Sequence, residues 1–351
     1  MKEGIQLSTL KPLLEIRNLD VSFRTQDSSL RIVHGLNLTL AQGETIGIVG
    51  ESGSGKSVTS LAIMGLLPKP TGFISNGEIL LDGRKISDLK EKEMRELRGN
   101  DISMIFQEPM TSLNPVFTIG DQLSEPLKRH KKMSRKERRT RIIDMLRTLG
   151  ISRPEKIIDE YPHQLSGGMR QRIMISLAML GEPKLLIADE PTTALDVTIQ
   201  AQILDLIRTI NKQKNTSVML ITHDLGVVAE ICDKVAVMYA GEIVEYTDVR
   251  TLFDKPLHPY TQGLIASMPN MNERKGELYS IAGNVPRPTD LPKGCHFSTR
   301  CMYAMDCCHE EAPPTTSNGC HSVRCWLHVD QPEGHSVEIE EEKNVQYAVR
   351  S

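Results

Sequence analysis

The chain has 351 residues, more than one domain of ordinary size uses, so a large domain with a smaller appendage is expected. With 39% hydrophobic and 25% charged residues it reads as a globular protein with an aliphatic core, which excludes disorder, collagen and coiled coil for the whole. A net charge of -3 gives no global electrostatic reason to expect nucleic acid as a partner, and no apolar run approaches the ~20 residues that cross a bilayer.

The opening residues Met1-Lys2-Glu3-Gly4 carry no basic stretch followed by an apolar core, so no secretory signal is expected and the chain reads as cytosolic. From about Leu13 to Tyr246, short apolar runs alternate with helix-period segments, the pattern of parallel strands buried on both faces and joined by helices. Strands are predicted at Thr45 to Val49, Ile102 to Phe106, Leu185 to Ala188, Val218 to Thr222 and Val235 to Tyr239. Ile199, Ile203, Leu206, Ile207 and Ile210 recur at three- and four-residue steps and predict a helix. The fold class is therefore α/β. The glycine-bracketed run Gly77 to Gly83 predicts a short strand at an antiparallel edge beside the parallel core.

After about Thr251 the composition changes. Prolines at 256, 259, 269, 286, 288, 292, 313 and 314 forbid long helices and central strands, so this part should be loop-rich and rigid for another reason. Residues 331–351 are polar with the acidic run Glu340-Glu341-Glu342 and read as a flexible tail.

The stretch Gly50-Glu51-Ser52-Gly53-Ser54-Gly55-Lys56-Ser57 satisfies the P-loop pattern and sits between a strand and a helix, where that pattern works. Its glycines let backbone N–H groups curl around phosphate oxygens, and the helix N-terminus adds a favourable dipole. Lys56 would reach the β- and γ-phosphates and the Ser57 hydroxyl would ligate Mg²⁺; Val58 closes the nucleotide-binding stretch. Downstream, Leu185-Leu186-Ile187-Ala188 would deliver Asp189 and Glu190 at the C-terminal end of a buried strand. Asp189 can hold Mg²⁺ through water, and Glu190 can orient or deprotonate an attacking water.

Between these motifs, Leu165-Ser166-Gly167-Gly168-Met169-Arg170-Gln171 resembles the signature sequence of ABC-type ATPases, and the resemblance extends over nearly the whole chain. It implies a P-loop NTPase fold with a helical subdomain, ATP and Mg²⁺ as cofactors, and a set of site residues. By that resemblance Phe23 stacks on adenine, Gln107 touches Mg²⁺ and the attacking water, Ala194-Leu195-Asp196 is the D-loop, and His223 contacts the γ-phosphate. Glu190, His223 and Gln107 are the expected catalytic set. Ser166, Gly167, Gly168 and Asp196 would complete the ATP site of an opposing subunit, so a second ATPase chain, a paralogue, is expected. Met169 stands where many relatives have Gln, as it often does in the peptide-importer branch.

The segment between Gln107 and Ser166 is a helical insert with Ile142, Leu146 and Leu149 on one face; in the family it docks onto transmembrane subunits. Its basic runs, Lys128 to Lys132 and Arg135 to Arg139, admit nucleic acid or anionic lipid but lack interleaved aromatics, so a solvated face is the reading and no nucleic acid is expected.

Seven cysteines are present, six of them between Cys295 and Cys325. In a cytosolic protein dense cysteines point to metal more than to disulfides. The run from Gly294 to Trp326 resembles the C-terminal domain of dipeptide and oligopeptide importer ATPases, and the matching thiols are Cys295, Cys301, Cys308 and Cys325. Four thiolates suit a 4Fe-4S cluster or a zinc ion; no C-x-x-C pair occurs, so the cluster is favoured, with free thiols the remaining reading. Cys307 and Cys320 get no role, and Cys232 reads as an inert buried thiol. Pro256-Leu257-His258-Pro259-Tyr260-Thr261 and Gly283-Asn284-Val285-Pro286 also resemble peptide and nickel importers.

The expected map is an ABC ATPase domain over residues 12–263 with its helical subdomain at about 108–180, an antiparallel β edge, and a small loop-rich C-terminal metal-binding domain over 264–330. The expected function is ATP hydrolysis powering uptake of di- or oligopeptides. The expected partners are a second ATPase, two transmembrane permease subunits and an extracytoplasmic peptide-binding protein, with the chain peripheral on the cytoplasmic side of the cell membrane. Nickel import, or a non-transport ABC ATPase acting on nucleic acid, are the alternatives.

Overall fold

In chain order the strands are β1 (Pro12–Arg24), β2 (Ser29–Ala41), β3 (Thr45–Val49), β4 (Gly72–Leu81), β5 (Arg84–Lys85), β6 (Ile102–Ile105), β7 (Leu185–Asp189), β8 (Ser217–Thr222), β9 (Lys234–Tyr239), β10 (Glu242–Asp248), β11 (Thr315–Asn318) and β12 (His321–Arg324). They come from a computed structural model that describes residues 11–26, 28–107, 113–192, 197–268 and 280–329. Two sheets result. One is antiparallel with order β2-β1-β4-β5; the other runs β11-β12-β10-β9-β3-β8-β7-β6.

The larger sheet is parallel from β9 to β6. Its central strands β3, β7 and β8 are buried at every position, as strands covered on both faces must be. Alternation then divides their side chains. Leu185, Ile187, Met219 and Ile221 face the core shared with the antiparallel sheet, whereas Leu186, Ala188, Val218 and Leu220 face the core shared with the helices. In β2, Leu36, Leu38 and Leu40 are buried while Asn37 and Thr39 are exposed, the two-residue period of a sheet wet on one face.

The helical insert is built from the helices Ile119–His130, Arg135–Thr148 and Gly167–Met179. Thr118 and Ser134 cap the first two, and Ser134 with Glu137 forms a capping box. Ile142, Leu146 and Leu149 are buried, with Leu123, Leu127 and Ile173, so the expected apolar face is the interior of this subdomain. Among the described residues no helix is long and apolar enough to cross a membrane.

Two expectations need adjustment. The strand containing Gly77 is antiparallel and packs beside the parallel core through Ile79 and Leu81, but it pairs with β1 in a separate sheet and is not an edge of the parallel one. The segment after Thr251 is loop-rich but also contributes β11 and β12, which turn at Gly319 (φ 62) and extend the larger sheet through β10. Four-residue polar strands carry almost no periodic signal, and the open edge of β10 supplies the pairing that their own sequence does not advertise.

Candidate functional site

The phosphate loop leaves β3 and enters the helix Lys56–Ile63. Two glycines have no substitute there. A Cβ on Gly50 would lie 2.2 Å from the Met238 carbonyl oxygen, and Gly55, at the helix N-cap, has φ +98. Among the described residues no side chain caps that helix, and no acidic residue occupies its first turn. The Lys56 ammonium sits inside the loop, donating to the carbonyls of Gly50 (2.7 Å) and Glu51 (2.9 Å) and to Ser54 Oγ (3.4 Å). Burial lowers its pKa from the ordinary lysine value, opposed by Glu190, Asp189 and Glu51.

The two distant motifs meet. Ser57 Oγ donates to Asp189 Oδ1 at 3.2 Å. Burial raises the Asp189 pKa, the Ser57 hydrogen bond opposes that rise, and the Glu190 charge adds to it. A hydroxyl and buried carboxylates are hard oxygen donors of the kind Mg²⁺ takes, and the cation would offset this cost.

Glu190 follows the last residue of β7 with φ 47, a left-handed conformation that turns its carboxylate out of the strand line, and its amide donates to the Ile221 carbonyl (2.8 Å). Gln107 Nε2 donates to Glu190 Oε2 at 2.9 Å, and His223 Nδ1 lies 3.3 Å from Glu190 Oε1. The three residues expected to act together are therefore in one hydrogen-bonded group at the ends of β6, β7 and β8. Asp224, beside His223, caps the helix Leu225–Ile231 and fixes the direction of that turn.

Other expected residues lie apart. Phe23, at the end of β1, is half-buried and pairs with Gly72 of β4. Val58 packs against the core beneath the loop. Ser166 caps the helix Gly167–Met179 through Met169 N, and Ser166 and Gly167 are exposed. Among the described residues no hydrogen bond joins Ser166, Gly167 or Gly168 to the Lys56 loop; Gln171 instead ties this helix to the Pro191 carbonyl, just beyond Glu190. Asp196 and the tail lie outside the described residues.

All cysteines are free. Cys295, Cys301, Cys308 and Cys325 line one small apolar pocket together with His258, Phe297 and Trp326, while Cys307 and Cys320 do not. Burial pushes the Cys295 thiol up to about 11 and Cys325 up to about 12, and raises Cys301 too. The backbone N–H dipoles two residues on, at Phe297, Tyr303 and Leu327, oppose the rise. Among the described residues, no three His, Cys, Asp or Glu side chains converge tightly enough to hold a single metal ion. A C-terminal metal centre is thus not established by the fold. Cys232 is half-buried, and desolvation raises its thiol pKa.

Sequence reasoning missed one contact set. Glu51 N donates to the Tyr260 hydroxyl (2.9 Å), and Arg300 Nη1 lies 3.1 and 3.2 Å from the two Glu51 carboxylate oxygens. The resemblance of the Pro256 to Thr261 run was a signal, but it marked a branch and not a contact.

Residues 33–193 match the family model described as ABC transporter, and residues 244–308 match that of the oligopeptide/dipeptide transporter C-terminal region. The chain is 50% identical to the oligopeptide transport ATP-binding protein AppD of Bacillus subtilis (strain 168), covering 92% of this chain and 98% of that one. It is 51% identical to the oligopeptide transport ATP-binding protein OppD of the same organism, over 91% and 90% of the two chains. The dipeptide transport ATP-binding protein DppD, also from Bacillus subtilis, is 50% identical over 93% of this chain and 98% of its own. Among solved structures, the dimeric ATP-binding cassette MJ0796 in a post-hydrolysis state bound to ADP and Pi superposes with TM-score 0.61 at 28% identity, covering 68% of this chain and 99% of that one.

Proposed function

The chain belongs to the family of ATP-binding subunits of peptide ABC importers, ATPases whose hydrolysis is coupled to transport, and from that premise we propose how its own residues divide the work. Mg-ATP binds the loop Gly50 to Val58, with Lys56 on the β- and γ-phosphates and Ser57 with Asp189 on the cation. Phe23 carries the adenine. Glu190 takes the proton of the attacking water; Gln107 and His223 hold its two oxygens and so fix the direction of its lone pairs. The hydrogen-bonded group Gln107–Glu190–His223, next to the Ser57–Asp189 contact, is the observation that carries this assignment.

Ser166, Gly167, Gly168 and Asp196 act on the ATP of an opposing ATPase, a paralogue of this chain. The exposed, capped N-terminus of the helix Gly167–Met179 supports that role, because its amides are available to an anion outside the chain. The cargo is a di- or oligopeptide selected by an extracytoplasmic binding protein. Two permease subunits dock on the Gln107 side of the helical subdomain, where Phe106, Val116, Phe117 and Tyr161 leave apolar surface exposed. The chain is therefore peripheral, on the cytoplasmic face of the membrane.

Cys295, Cys301, Cys308 and Cys325 fit a 4Fe-4S cluster by donor type and by their shared pocket. A zinc ion, the alternative occupant, would demand four sulfurs within ~2.3 Å of one point. When bound, a cluster supplies a covalent crosslink of the C-terminal loops and a centre that takes up one electron. Anaerobic purification checks it: a colourless protein without iron or acid-labile sulfide refutes the cluster.

For the ATP site, Glu190→Gln in the assembled importer should keep Mg-ATP affinity and lose turnover by about a hundredfold or more. Wild-type turnover in that variant would overturn the assignment.

A further inference from the structure

We propose that Arg300 and Tyr260 are positioning residues for the nucleotide site: by holding Glu51, the second residue of the phosphate loop, they couple the cysteine-bearing C-terminal segment to ATP binding.

The contact is built from both sides. From the loop, Glu51 offers its amide to the Tyr260 hydroxyl and its carboxylate to Arg300. From the C-terminal segment, the Arg300 side chain is 4% exposed and every guanidinium nitrogen is engaged. Nε donates to the Ala282 carbonyl (2.9 Å), Nη2 to the Ile281 carbonyl (3.3 Å), and Nη1 to Glu51 and to the Tyr239 hydroxyl (3.4 Å). The guanidinium carbon also lies 5.7 Å from the Tyr239 ring centroid and 6.0 Å from that of Phe297. A planar fork clamped at each nitrogen has no freedom to follow Glu51; Glu51 must conform to it.

Tyr260 is equally fixed. It is fully buried, its ring centroid is 4.7 Å from that of Tyr239 and 5.4 Å from Phe297, and its amide donates to His258 Nδ1 at 3.0 Å. Phe297 and Arg300 lie between Cys295 and Cys301, so the loop carrying two pocket thiols also carries the clamp. Glu51 and Gly50 present the two carbonyls that hold Lys56. Displacing Glu51 therefore shifts both the loop backbone and the lysine that reaches the phosphates. The coupling is reciprocal: whatever rigidifies the thiol segment favours ATP, and ATP rigidifies the segment.

The proposal rests on ATP binding at the Lys56 loop, and the test separates the two. Full-length chain is titrated with a fluorescent ATP analogue plus Mg²⁺ for wild type, Arg300→Met, Glu51→Ala, the double variant and Lys56→Ala. Arg300→Met and Glu51→Ala should each weaken binding about tenfold, the scale of one partly buried charge-assisted bond, and the double variant should be no weaker than the worse single one. The sole tryptophan, Trp326, lines the thiol pocket and gives a native-state readout of the far side. Mg-ATP should reduce acrylamide quenching of Trp326 in wild type and leave it unchanged in Arg300→Met at saturating nucleotide. Unaltered affinity in both single variants, additive losses in the double, or Trp326 quenching indifferent to Mg-ATP in wild type overturns the coupling. If Lys56→Ala binds normally, the nucleotide site itself is misplaced.

Discussion

Glu245 on β10 is completely buried, and its carboxylate accepts from Leu257 N (2.8 Å), His258 N (2.9 Å) and His321 Nε2 (2.7 Å). It fastens three pieces together: the edge of the central sheet, the loop that leads to Tyr260, and β12 of the C-terminal hairpin. Glu245→Ala removes the acceptor and leaves the donors in a dry site. Each donor left without an acceptor costs about 1–3 kcal/mol, and Glu245→Ala strands three of them. Because the terms overlap, the expected loss is about 4–6 kcal/mol, a large share of the ~5–15 kcal/mol that holds a domain folded. Urea unfolding followed by Trp326 fluorescence measures it, since the probe sits in the segment that Glu245 retains. Glu245→Gln keeps one acceptor oxygen and should lose less than Ala. A loss below ~1 kcal/mol for Glu245→Ala would mean that these amides find other partners, and the fastening would not depend on Glu245.

Further outcomes follow from single contacts. Gly50→Ala places a methyl 2.2 Å from the Met238 carbonyl, so the loop must move and Mg-ATP binding should fall at least tenfold in an equilibrium titration; normal affinity would show that the loop has slack. Leu146→Ala opens a cavity in the wholly buried core of the helical subdomain and should cost about 2–5 kcal/mol by denaturant unfolding, with less than 1 contradicting the packing. His34 is depressed from the ordinary histidine value to about 4, first by burial and then by the His296 and Arg31 charges, and among the described residues its Nε2 has no hydrogen-bond partner. The unfolded chain binds the proton first, so stability is full above about pH 6.5 and falls as pH drops toward 4. His34→Phe keeps the ring contact with His296, should match wild type at pH 7, and should lose less stability between pH 7 and 5; parallel curves for the two proteins would refute this.

What could be read from the residues alone was local chemistry. The P-loop, the strand ending in Asp189 and Glu190, and the signature Ser166-Gly167-Gly168 each act through a few consecutive residues, so spacing along the chain already gives their geometry. The buried strands were equally plain, because β3, β7 and β8 are apolar at nearly every position. The four thiols matched by resemblance do share a pocket, but a convergence that defines a metal was not in the spacing and is not in the fold.

Only the tertiary structure decided which distant residues touch. Gln107 and Glu190 are 83 positions apart, Tyr260 is 209 from Glu51, and Arg300 is 249 from it. The hairpin β11–β12 likewise has no identity without the β10 edge to pair with. Hydrophobic period and turn residues encode the local conformation of each segment, whereas an ion pair or a single hydroxyl contact carries no period. It exists only where burial of the surrounding apolar surfaces has already brought the two segments together, and here that burial places the C-terminal segment against the phosphate loop.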